Sequence, residues 1–207
     1  MTSRWWWCGA LGVLLASCTG VQRQGTSPAY LIVNSLEAAS GAEPDAFGGS
    51  LASDVVTMVS RRIDGEEVQE ATVFDDLGRV EFSLGLKDPG STSAPSQPST
   101  SNFITVSQYH VRFIRADGRN APGVEVPYAF DGAITVTVGA EPALATLVLV
   151  RSQAKQEAPL RALSVTGAPV ISTIAEITFY GKDQAGRTVA VVGRIGVNFA
   201  DWGDPVD

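Results

Sequence analysis

From Ala29 onward the apolar residues recur mostly at every second position. Ile134, Val136 and Val138 alternate with Thr135 and Thr137. Phe82, Leu84 and Leu86 alternate with Ser83 and Gly85, and Ile177 and Phe179 with Glu176, Thr178 and Tyr180. Val189, Val191, Ile195, Val197 and Phe199 share one face, interrupted by Gly193. Successive side chains of a strand point to opposite faces, so this period, carried by β-branched and aromatic residues, predicts half-buried strands. The pattern places them near 29–36, 54–63, 72–75, 79–86, 103–116, 132–139, 144–151, 171–182 and 187–200, with a further short piece at 124–128. Ser152–Leu163 is rich in Ala, Lys, Gln, Glu and Leu and has room for one helical turn before or after Pro159. No long amphipathic helical pattern occurs.

Turn dipeptides punctuate the strands: Asp64-Gly65, Asp117-Gly118 and Asp131-Gly132. The clearest hairpin joins 174–182 to 187–199 through Asp183-Gln184-Ala185-Gly186, where Gly186 can take a left-handed conformation. Many short antiparallel strands with Gly/Pro turns imply a sandwich or barrel. Strand number and spacing point to an all-β fold, an immunoglobulin-like β-sandwich of about eight to ten strands, with a jelly roll as the alternative. The Cys…Trp…Cys hallmark of antibody domains is absent.

One segment breaks the alternation. Lys87–Asn102 reads KDPGSTSAPSQPSTSN and holds no aliphatic residue larger than Ala94. It cannot bury a face, so it reads as a solvated, disordered Ser/Thr/Pro loop. Taken as a linker, it would leave 28–86 near the lower limit for independent stability, so a single domain over 29–207 is the better division.

The N-terminus follows a different logic. One positive charge, Arg4, precedes an uncharged apolar run from Trp5 to Leu15. The run is about half the ~20 residues that a spanning helix needs and fits a secretory signal peptide over 1–17. Leu15-Ala16-Ser17-Cys18 then resembles the lipobox of bacterial lipoproteins. The resemblance covers 18 residues and implies cleavage before Cys18, a diacylglycerol on its thiol and an acylated new N-terminus. Two or more acyl chains would hold the protein to a membrane where one would not. Thr19 after the Cys, rather than Asp, favours the outer membrane by resemblance to enterobacterial sorting. Residues 18–28 would be a polar tether between lipid and domain.

The whole chain carries 15 Lys+Arg against 22 Asp+Glu, a net charge of −7, which argues against nucleic-acid binding through a broad basic face. Cleavage would remove Arg4 and make the charge one unit more negative. It would also remove Cys8, and lipid would consume Cys18, so no disulfide could form and stability would rest on the core. With one His and two Cys, a His- or Cys-based metal site is not expected, and no cofactor is implied.

Candidate chemistry is sparse. His110 is the only His and would have to serve any Ser-His-Asp site, but no Gly-x-Ser-x-Gly elbow accompanies it, so it reads as a partly exposed strand residue. Asp75-Asp76 and Glu66-Glu67 read as solvated turn carboxylates. Loop carboxylates suit calcium better than catalysis, yet no EF-hand loop is present and no metal site is assigned. Tyr109, Tyr128, Phe130, Tyr180 and Trp202 could stack on a sugar, though strand aromatics more often pack into a core. Trp202, beyond the last alternation, is expected to plug the end of the sandwich, with exposure to a partner as the alternative. Arg112, Arg115 and Arg119 read as a solvated face.

The expectation is a non-enzymatic envelope lipoprotein: a lipid-anchored sandwich acting as a structural, adhesive or complex-assembly module with a protein partner. A carbohydrate- or small-ligand-binding module is the alternative, and an exported hydrolase a distant third.

Overall fold

The computed structural model describes residues 26–166 and 169–202. The stretch read as a signal peptide, Cys18 and most of the stretch read as a tether lie outside the described residues.

Among the described residues there are twelve strands: β1 (Ala29–Ala39), β2 (Ser50–Asp54), β3 (Thr57–Ile63), β4 (Glu66–Thr72), β5 (Asp76–Leu86), β6 (Gly90–Ser91), β7 (Ala94–Pro95), β8 (Ile104–Ile114), β9 (Phe130–Val138), β10 (Ala143–Val150), β11 (Ile171–Asp183) and β12 (Thr188–Ala200). Two short helices, α1 (Ser152–Lys155) and α2 (Arg161–Thr166), lie on either side of Pro159. One sheet has the order β1-β5-β10, the other β2-β12-β11-β8-β9. All pairings within them are antiparallel except β2 beside β12, which is parallel. In immunoglobulin lettering, β1, β5 and β10 are A, B and E; β8, β9, β11 and β12 are C, C′, F and G. The fold is therefore an all-β, immunoglobulin-like sandwich, and the jelly-roll alternative is set aside.

The period-two residues meet between the sheets. Phe82 of β5 and Phe179 of β11 cross edge to face at 4.9 Å, joining the two layers. Phe113 and Phe199 pack likewise at 5.4 Å. Such pairs contribute about 0.5–1.5 kcal/mol beyond area burial. One hydrophobic cluster runs from Ala29 to Phe199. Tyr109 belongs to it: its ring lies across Gly132 of β9, where any Cβ would come within 2.1 Å of the ring. Its hydroxyl reaches the other sheet and accepts a hydrogen bond from the Val148 N–H at 3.2 Å. The β11–β12 hairpin turns where predicted. Asp183 closes it by accepting from the N–H groups of Ala185 (3.0 Å) and Arg187 (2.9 Å).

Five expectations need correction. Asp131-Gly132, read as a turn, lies inside β9 opposite His110 and Tyr109. The strand predicted at 54–63 is split: β2 ends at Asp54, and β3 begins at Thr57 as part of a separate hairpin. The strand predicted at 72–75 is the end of β4 and a connection; β4 lacks apolar alternation, having only Val68 and Ala71 among polar residues. Residues 124–128 form no strand, only a bridge from Pro122 to Val126. Residues 87–102 are solvated as expected but not structureless. Asp88 accepts from the Gly90 N–H and Ser91 from the Ala94 N–H, which folds the segment into the β6–β7 hairpin. Here short polar side chains, without a core to fold against, supply the hydrogen bonds that shape the turn.

Candidate functional site

The sandwich has two unlike poles. Residues 26–28 lead into β1 beside the β11–β12 turn, where Ser27 lies close to Asp183 and helps hold its carboxyl below the usual range. The chain therefore enters the domain at this pole. The opposite pole collects the end of β1, the ends of β2 and β12, the start of β5 and the two helices.

A polar node is buried under that second pole. Asp76 and Lys155 have side chains 0% and 1% exposed, and Lys155 Nζ lies 2.7 Å from Asp76 Oδ1. The Gly41 N–H donates to the same oxygen at 2.9 Å, and the Ser53 hydroxyl donates to Oδ2 at 2.6 Å. Burial pushes the Asp76 carboxyl up from its ordinary range, opposed by Lys155 and these hydrogen bonds. The node ties α1 to β5, β2 and the turn after β1. This corrects the reading of Asp75-Asp76 as solvated: Asp76 faces inward from the first position of β5, whereas Asp75 is exposed and accepts from the Ser152 N–H. Glu66 and Glu67 are exposed, as expected.

From the same pole leaves the β3–β4 ribbon. Asp64 (φ 53°) and Gly65 (φ 90°) supply the paired positive φ angles of a two-residue type I′ turn. Every residue from Met58 to Ala71 is exposed, so the ribbon stands clear of the sandwich. Register and alternation put Val59, Arg61, Ile63, Glu66, Val68 and Glu70 on one face. Val59, Ile63 and Val68 are 36%, 50% and 42% exposed. A two-stranded hairpin is marginal alone in water, so such a ribbon is better suited to being covered than to standing free.

The outer face of the second sheet carries a charged row. Arg112 of β8 and Arg194 of β12 flank Glu176 of β11, bonding Oε1 at 2.7 Å and Oε2 at 2.8 Å through their Nε atoms. These bonds, from Arg194 first and Arg112 next, hold the Glu176 carboxyl below its usual range. Beside the row, His110 Nδ1 pairs with Asp131 Oδ1 at 2.8 Å. His110 is half-buried, the partly exposed strand residue expected. It borders a cleft of about 450 Å³ lined also by Arg112, Asn120, Pro122, Val126 and Pro127. The lining of this cleft includes no Ser, Thr or Cys, and Thr178 of β11 stands in register with His110 beside it. Arg115 and Arg119 do not join Arg112. Both hydrogen-bond Asp117 in the following turn, and these contacts, Arg115 foremost, hold its carboxyl far below the usual range.

The aromatic candidates separate. Tyr109 and Phe130 are core residues 6.3 Å apart, edge to face. Tyr128 lies over Gly123, Tyr180 points outward from β11 and Trp202 follows β12; all three are exposed. Tyr180 sits in register with Gln108 and Ala190, neither aromatic, so its row forms no stacking platform. Trp202 is 39% exposed rather than a buried plug, and its backbone N–H donates to Asp54 at 3.1 Å. Among the described residues no group of three or more His, Cys, Asp or Glu side chains could hold a metal, and no helix is long and apolar enough to cross a membrane.

The ribbon and the Asp76–Lys155 node are the features that sequence reasoning missed. Asp64-Gly65 was the available signal for the first. Nothing in the sequence paired positions 76 and 155. Set against known proteins, the chain matches no family model, no curated protein and no solved structure.

Proposed function

We propose that this protein is a non-enzymatic lipoprotein of the bacterial envelope that works by contact, as a structural or complex-assembly module. Lipid on Cys18 holds it to a membrane, the outer membrane being favoured by Thr19, and it engages a protein partner. The supporting observation is the molecule's polarity. The tether enters at one pole, and an exposed ribbon with apolar side chains leaves the other, where a membrane-held protein would present it to a partner.

The test is made on the full chain in its own envelope. Wild type should partition with membranes and take up a fatty-acid analogue, and Cys18→Ala should lose both. Replacing 57–72 by a short Gly-Ser turn should leave a folded, lipidated protein that no longer supports the envelope phenotype of the gene. His110→Ala should retain it. Equal labelling of wild type and Cys18→Ala, or a folded His110→Ala protein without function, overturns the reading.

A further inference from the structure

We propose that the β3–β4 ribbon docks face to face on the same ribbon of a second copy of this chain. The inference rests on the contact-module reading and names the partner of its exposed ribbon.

Three observations carry it. The first is the segregation of charge. On this face β3 presents Arg61 and no acid, whereas β4 presents Glu66 and Glu70 and no base; Arg62 and Glu67 pair on the opposite face. A ribbon basic along one strand and acidic along the other is complementary to itself when strands of unlike sign oppose.

The second is the composition of one face. Arg61 stands in register with Val68, Val59 with Glu70 and Ile63 with Glu66. Stack two such faces about a two-fold axis running along the ribbon, and β3 of each copy lies over β4 of the other. Val68 is then covered by the aliphatic stem of the other copy's Arg61, whose guanidinium falls between Glu66 and Glu70. Val59 and Ile63 close the layer above and below. Within one ribbon Arg61 reaches Glu70 at 3.4 Å with both side chains more than half exposed, so the pair holds Arg61 only weakly and leaves it free to meet the other copy's carboxylates.

The third is closure. Adding β3 of one copy to the free edge of β4 in the next also opposes unlike charges, but leaves an edge at each end and does not terminate. The two-fold stack uses the same patch on both copies and ends at a dimer. Copies held by lipid in one membrane share their orientation and are concentrated there, which favours weak pairing between exposed patches.

The experiment uses the full chain carrying either of two epitope tags, co-expressed and extracted from membranes in mild detergent. Wild type of one tag should capture wild type of the other. Val68→Asp should reduce capture at least tenfold, and so should Arg61→Glu. A copy bearing Glu66→Arg with Glu70→Arg should fail to capture itself but should capture the Arg61→Glu copy at close to the wild-type level. All these side chains are exposed, so circular dichroism of each variant should match wild type. Capture unchanged by Val68→Asp and Arg61→Glu, or failure of the reciprocal charge exchange to restore it, overturns the proposal. A ribbon that captures some other envelope protein, lost in Val68→Asp while copies never capture each other, overturns self-docking and leaves the contact-module reading standing. Loss of membrane partition in the same extracts would instead count against the anchor.

Discussion

Lys155→Met removes the cation that contacts Asp76 and leaves that carboxylate fully buried. Two hydrogen bonds survive, from the Gly41 N–H and the Ser53 hydroxyl, but the countercharge does not. Breaking a buried pair on one side typically costs about 3–5 kcal/mol. For a domain of this size each kcal/mol moves the melting temperature by about 2–4 °C, so a fall of roughly 6–20 °C is expected at pH 7. Asp76→Asn should cost a similar amount, because the ammonium then stays buried with no opposite charge. Replacing both, as Asp76→Leu with Lys155→Met, should recover most of the loss, since a buried ion pair exchanged for apolar groups of similar size is often neutral. The pH dependence has a definite sign. Without Lys155 the folded-state pKa of Asp76, already raised by burial, rises further. A group whose folded pKa lies above its unfolded one stabilises most below the unfolded value, and that contribution is lost as pH climbs through the folded value. The Lys155→Met deficit should therefore shrink as pH is lowered from 8 towards 5. Thermal and urea unfolding of the four proteins at several pH values measure this. A Lys155→Met cost below 1 kcal/mol at pH 7, or a double variant as unstable as the two single losses added, would refute the reasoning.

Tyr109→Phe should cost about 1 kcal/mol in urea unfolding, because the Val148 N–H loses its acceptor across the sandwich while ring packing is kept. Glu176→Gln should flatten the acid limb of the stability profile. The folded pKa of Glu176 is depressed, so its contribution is present above the unfolded value and lost as pH falls through the folded one. The difference from wild type should thus be present at pH 7 and vanish towards pH 3. Replacing 88–101 by a short Gly-Ser turn should change the melting temperature by less than the Tyr109→Phe exchange does, since the β6–β7 hairpin buries no side chain. A collapse of the fold would show that the hairpin shapes the β5–β8 connection.

The sandwich was legible because each long strand keeps one face of its residues in the core. Val80, Phe82, Ile177, Phe179, Val197 and Phe199 announce themselves by period two, and burial follows. The ribbon was not legible by the same rule, because a hairpin exposed on both faces has no core to impose alternation, and Glu66–Thr72 is nearly all polar. Only the Asp64-Gly65 turn marks it. The buried node was hidden for another reason. Asp76 and Lys155 are charged residues, ordinarily solvent-facing, and only the crossover from β10 through α1 back over β5 brings them to 2.7 Å. The aromatic residues split likewise: Tyr109 and Phe130 are inside as expected of strand aromatics, Tyr128 and Tyr180 are exposed against that expectation, and Trp202 lies past the last strand, where periodicity carries no information.

The placement of β1 and β2 between tether and ribbon has a mechanical consequence. A pull applied between the lipid end and a partner gripping the ribbon would run up β1, through the turn and out along β2. β1 is bonded antiparallel to β5 from Ala29 opposite Leu86 to Ala39 opposite Leu77. β2 is bonded parallel to β12 from Ser50 opposite Gly196 to Asp54 opposite Ala200. In both ladders the load lies along the strands, across the hydrogen bonds, so the bonds are sheared together instead of being peeled off one at a time. The remainder of the sandwich, from β8 onward, carries none of the tension directly. A pull between residue 26 and the ribbon would thus meet both ladders in shear.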